Sequence, residues 1–130
     1  MKTITLLSFV MLSSSPAFAD EGFALIHSQQ LAQDMKAGQA MVFDANGTET
    51  RQKEGIIPGA KLLSSASGYD VAKEIAAPKT QEVVFYCGGP KCMASHEAAS
   101  RAVKAGYSNV KVMADGITGW KAAGQPVAKN

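Results

Sequence analysis

Cysteine is scarce in this chain: only Cys87 and Cys92 occur in 130 residues, beside one tryptophan and two histidines. So few cysteines exclude the disulfide-dense frameworks of small secreted domains. They also leave a tetrahedral zinc centre unsupported, because two thiolates and one nearby histidine fall short of four ligands and the cysteine spacing is longer than usual. Charge of one sign is lacking too. Thirteen basic residues stand against eleven acidic ones, so neither nucleic acid nor a membrane surface is an expected partner. No apolar run reaches the roughly 18 residues of a membrane span, and the chain has no internal repeats or low-complexity tracts.

What is present begins with a short apolar run. MKTITLLSFVMLSSSPAFAD carries Lys2, an apolar stretch from Ile4 to Leu12, and Ala17-Phe18-Ala19 before Asp20. This is the pattern of a secretory signal peptide cut after Ala19. The expectation is a signal over residues 1–19 and a single domain over residues 20–130, exported and soluble, most simply in a bacterial periplasm. Removing 19 of 130 residues leaves 111, enough for one core. Only Lys2 of the 13 basic residues is lost with the signal, so 12 remain against 11 acidic residues.

Both cysteines fall in Glu82–Cys92, EVVFYCGGPKC. Val83, Val84, Phe85 and Tyr86 are β-branched and aromatic, as suits a strand buried on both faces. Cys87 ends that strand, Gly88 and Gly89 let the backbone curl, and an alanine-rich segment from about Lys91 to Ala105 has helical spacing. A sulfur held at a helix start meets unpaired N–H groups and about half a positive charge, which favours a thiolate. The plainer alternative is an inert cysteine closing a strand. The amides of Gly88, Gly89, Lys91 and Cys92 can converge on one centre, and Pro90, which has no N–H, stiffens the curl.

Elsewhere strands and helices alternate. Ser28–Lys36 reads as a helix with Ser28 as its cap, Ala40–Phe43 as a strand ending at Asp44, and Pro58-Gly59 as a type II turn leading to a short strand at Lys61–Leu63. A modest helix over Asp70–Ala76, the central strand, the helix at Lys91–Ala105, a strand at Val110–Ala114 and a short final helix from Asp115 follow. In the long helix, Ala94, Ala98, Ala102 and Ala105 are expected on the packed face. Such alternation implies βαβ units and a parallel sheet with helices on both faces. Ligands of such sheets bind beyond the carboxyl ends of the strands, where Cys87 lies.

The loop Cys87-Gly88-Gly89-Pro90-Lys91-Cys92 resembles the active-site loop of the rhodanese family of sulfurtransferases. Asp44-Ala45-Asn46, the turn Gly55-Ile56-Ile57-Pro58-Gly59-Ala60, and the C-terminal Asp115-Gly116-Ile117-Thr118-Gly119-Trp120 and Gly124-Gln125-Pro126-Val127 are similar to its other signatures, in order. Asn46 replaces a usual arginine, Ile56 a histidine and Asp115 a glycine. A buried Asp44 then needs other partners, which Arg51 or backbone amides can supply. Phosphatase and arsenate-reductase relatives have one loop residue more and close it with arginine, whereas position 93 is methionine.

The resemblance implies a rhodanese-like three-layer α/β fold with no metal or organic cofactor. It implies a Cys87 thiolate that takes a sulfane sulfur from a small donor such as thiosulfate and passes it to a thiol or cyanide, or to a partner protein. Gly88, Gly89, Lys91 and Cys92 would bind the substrate, with Lys91 attracting an anionic donor or standing simply as a solvated lysine. Cys92 is a resolving thiol or just a small residue at a helix start, and reversible pairing with Cys87 requires a tight curl. Two other functions stay open: a redox protein cycling the two thiols, and a sulfur carrier with poor turnover of free thiosulfate. His96, Ser100 and Lys104 form a polar stripe, and Trp120 is expected in the core.

Overall fold

The apolar β-branched and aromatic runs form the sheet. In the computed structural model, which describes residues 22–130, five strands pair: β1 (Ala24–Leu25), β2 (Ala40–Asp44), β3 (Lys61–Leu62), β4 (Glu82–Tyr86) and β5 (Val110–Met113). Their order is β1-β5-β4-β2-β3 and every pairing is parallel. Parallel neighbours require crossovers. These contain α1 (Ser28–Lys36), α2 (Thr48–Glu54), α3 (Val71–Glu74) and α4 (Ala94–Lys104), and α5 (Gly116–Ala122) follows the last strand. The expected signal segment, residues 1–19, lies outside the described residues.

Side chains of β4 alternate between two apolar layers, which makes the fold three-layered as expected. Val83 and Phe85 join Ala98, Ala99 and Ala102 of α4 with Tyr69 and Ile75 on one face. Val84 and Tyr86 join Leu31 of α1 with Ile117 and Trp120 of α5 on the other. Phe43 stacks on Phe85 with centroids 5.3 Å apart across the β2–β4 pair. Each such fully buried side chain contributes about 1.5–3 kcal/mol. Trp120 is core, as expected, and its indole N–H donates to the Pro126 carbonyl at 2.7 Å.

Several boundaries differ from the sequence reading. Ser28 is the first helical residue of α1 rather than its cap; His27 holds the cap position and the Ser28 hydroxyl turns to the Met113 sulfur. In α4 the packed stripe is Ser95, Ala98, Ala99 and Ala102, so Ala105 is exposed. Strand β1 and helix α2 were not anticipated. Two residues are too few to show alternation, and the sequence of α2, TETRQKE, buries only Arg51. Among the described residues no helix is long and apolar enough to cross a membrane.

At the foot of the sheet, away from Cys87, Glu82 is buried against Lys111, with Asp34 4.0 Å from the same ammonium. Burial raises the Glu82 pKa, Lys111 opposes it, and the Asp34 carboxylate adds to it. A carboxyl raised in the folded state is penalised when ionised, fully above its folded pKa and not at all below its unfolded one. Wild type is therefore expected to gain stability relative to Glu82→Gln as pH falls through the carboxylate range. Thermal melts of both proteins from pH 7 to pH 4 would show it, and a gap that widens against wild type on acidification would contradict it.

Candidate active site

Strand β4 is the middle strand of the sheet, and Cys87 follows it at the carboxyl edge, only 1% exposed. From there the chain passes through Gly88, Gly89, Pro90, Lys91, Cys92 and Met93 before α4 opens at Ala94. This corrects the expected helix start at Lys91. The Cys92 N–H donates to the Gly89 carbonyl at 3.0 Å, closing a turn around Pro90 and Lys91, and Met93 takes the cap position. The Cys92 amide is thus satisfied within the loop and is not free to hold an anion, as the sequence reading expected of it.

The amides of Gly88, Gly89 and Lys91 have no hydrogen-bond acceptor among the described residues. Their orientation follows from α5. Ile117 N–H donates to the Cys87 carbonyl at 2.8 Å and Thr118 N–H to the Gly88 carbonyl at 3.1 Å. In a trans peptide the carbonyl and the next N–H point in opposite directions, so the N–H groups of Gly88 and Gly89 turn away from α5. Gly116, at φ +64°, permits this contact: a Cβ there would lie 2.5 Å from Gly89 N and 2.7 Å from the Cys87 oxygen.

The two sulfurs are joined as a Cys87–Cys92 disulfide, with α-carbons 6.3 Å apart. The curl is tight enough for pairing, which needs α-carbons within about 7 Å. Ser95, buried in the first turn of α4, places its hydroxyl oxygen 3.3 Å from Cys87 Sγ. Sequence reasoning missed Ser95. Its signal was the i, i+3, i+4, i+7 spacing with Ala98, Ala99 and Ala102, which puts one hydroxyl on the buried face.

Lys91 is exposed, and Cys92 is half-buried. A cleft of about 330 Å³ opens beside Gly88 and Gly89, lined also by Thr118 and by Glu49, Thr50, Lys53 and Glu54 of α2. Lys53, and not Lys91, is the cation on this cleft. The Asn46 side chain is about nine-tenths buried next to the loop: its Oδ1 is 3.8 Å from where a Gly88 Cβ would stand, and its Nδ2 has no partner among the described residues. His96 packs edge-on against Phe23, with centroids 5.5 Å apart. No cluster of three or more His, Cys, Asp or Glu suited to a metal occurs among the described residues.

Beneath the loop a polar strut fixes the strand ends. Asp44, fully buried, accepts from Arg51 Nε at 3.1 Å, Asn46 N–H at 2.7 Å and the Tyr86 hydroxyl at 2.5 Å. Arg51 Nη2 also donates to the carbonyls of Asp44 and Leu63, and Ile57 N–H donates to the Tyr86 oxygen. Burial and the neighbouring Asp44 carboxylate push the Tyr86 pKa far up, so it stays a donor. Arg51 and a backbone amide are the partners expected for Asp44 in the absence of an arginine at position 46.

A central strand of a parallel sheet that ends in a cysteine, followed by a glycine loop and a helix, defines a class of α/β domains. The chain belongs to the rhodanese-like domain family, whose model matches residues 27–123. Among solved structures it is similar to the BH2092 protein of Bacillus halodurans, at 24% identity and a TM-score of 0.71 over 83% of this chain and 77% of that one. It is also similar to a Rhodopseudomonas palustris protein described as a possible tyrosine phosphatase, at 22% identity and 0.68 over 82% and 85%. A third is a thiosulfate sulfurtransferase from Pseudomonas aeruginosa, at 24% identity and 0.67 over 82% of this chain and 20% of that one. No curated protein matches the sequence. The fold is therefore the rhodanese-like one.

Proposed function

We propose that the protein is an exported, periplasmic sulfurtransferase that carries sulfur as a persulfide on Cys87. The observation that carries this reading is the cradle itself: Cys87 ends the middle strand where three backbone amides, those of Gly88, Gly89 and Lys91, lack acceptors. Those donors suit a small anion. In the first step the Cys87 thiolate attacks the outer sulfur of thiosulfate; the S–S bond breaks, sulfite departs with the electron pair, and Cys87 is left as an anionic persulfide. A thiophilic acceptor then removes the outer sulfur. Among the described loop residues no guanidinium closes the cradle, which favours sulfur over phosphate as cargo. Export is supported by the N-terminal pattern ending at Ala19.

The test is the intact mass of reduced protein, freed of reductant and exposed to thiosulfate without air. Sulfur transfer at Cys87, held or passed on, is expected for wild type, and none for Cys87→Ser, with sulfite released in step. Equal uptake by Cys87→Ser would overturn the assignment of the nucleophile.

A further inference from the structure

We propose that Cys92 displaces the sulfur from Cys87, so that the protein acts as a sulfane-sulfur reductase: it releases hydrogen sulfide, closes the Cys87–Cys92 disulfide and is reopened by an external dithiol. The proposal rests on the persulfide reading above and names the group that resolves the persulfide. Its basis is geometric. The loop brings the two sulfurs together with α-carbons 6.3 Å apart, and the Gly89–Cys92 turn that shapes it is hydrogen-bonded. Cys92 therefore reaches the inner sulfur of a Cys87 persulfide from where it already sits, whereas an outside thiol must compete with a neighbour at very high effective concentration.

The reaction balances without further reagents. The Cys92 thiol attacks Cys87 Sγ, the Cys87–outer sulfur bond breaks, and the outer sulfur leaves as HS⁻ with the proton of Cys92. The sulfane sulfur is reduced and the two cysteines are oxidised. Reset follows from burial. Cys87 is 1% exposed and Cys92 half-buried, so an incoming thiolate meets Cys92 Sγ and expels Cys87. The departing thiolate is received by the Ser95 hydroxyl, 3.3 Å away, and by the cradle. The second thiol of the dithiol then attacks the mixed disulfide at its own sulfur and frees Cys92.

The experiment exposes reduced wild type, Cys92→Ser and Cys87→Ser to thiosulfate without air, and reads intact mass and trapped sulfide. Wild type is expected to lose two hydrogens and release one sulfide per chain, while Cys92→Ser keeps one added sulfur and releases none. A wild type that holds its added sulfur as stably as Cys92→Ser overturns the proposal and leaves the persulfide reading standing. Failure of both proteins to react with thiosulfate overturns the persulfide reading and the proposal with it. For the reset, glutathione is added in limiting amount to the oxidised wild type and the product is cut with trypsin, which cleaves after Lys91 and so separates the two cysteines. Glutathione on the peptide that begins at Cys92 is expected; glutathione on the Cys87 peptide overturns the order of attack.

Discussion

Replacing Arg51 by methionine is expected to lower the unfolding free energy by about 3–5 kcal/mol, the range for removing one partner of a buried ion pair. Asp44 is fully buried, and its carboxylate would lose its only cationic partner among the described residues, while the carbonyls of Asp44 and Leu63 would lose the guanidinium they share. The loss exceeds that of an exposed pair because water cannot take the place of the lost donors. Denaturant unfolding with an unchanged slope would measure it. Adding Asp44→Asn is expected to restore part of the loss, since a neutral amide oxygen still accepts from Asn46 N–H and no longer needs a cation. A change below about 1 kcal/mol for Arg51→Met alone would show that the strut carries little of the stability.

This strut illustrates where the sequence was legible. Asp44 closing an apolar strand is a buried carboxylate in need of partners, and Arg51 was within reach in the sequence. The helix that presents Arg51 was not readable, because TETRQKE has no apolar period: α2 exists through its contacts at the carboxyl edge and not through an amphipathic stripe. The same contrast runs through the site. Cys87, Gly88 and Gly89 were found because strand, glycine curl and helix follow one another directly. The length of the curl was misread because Lys91, Cys92 and Met93 have no strong helix-stop residue among them. Only the Cys92–Gly89 hydrogen bond reveals that they belong to the loop. β1 pairs with β5, more than 80 residues away, and two residues carry too little pattern to announce that. Ser95 and Gly116 are long-range too. Each is defined by what it touches around Cys87, and a residue's neighbours across the fold leave only a faint local trace.

Gly116→Ala is expected to cost the site more than any other small substitution outside the cysteines. At φ +64° an alanine is strained by about 1 kcal/mol, but that is the lesser effect. Its Cβ would stand 2.5 Å from Gly89 N, 2.6 Å from the Gly88 carbonyl carbon and 2.7 Å from the Cys87 oxygen, all backbone atoms that no rotamer change can move aside. Either α5 retreats and breaks the bonds from Ile117 and Thr118, or the loop shifts and the cradle amides lose their aim. A displacement of that order is expected to slow sulfur loading of Cys87 by about 10²-fold. Gly38→Ala separates the two causes, because Gly38 has nearly the same φ, +69°, with nothing within 4 Å of the added carbon. Loading rates measured against thiosulfate should fall for Gly116→Ala and stay at wild type for Gly38→Ala, whose smaller loss on unfolding reads the backbone strain alone. Loading at the wild-type rate in Gly116→Ala would mean that the hold of α5 on the loop does not set the geometry of the cradle.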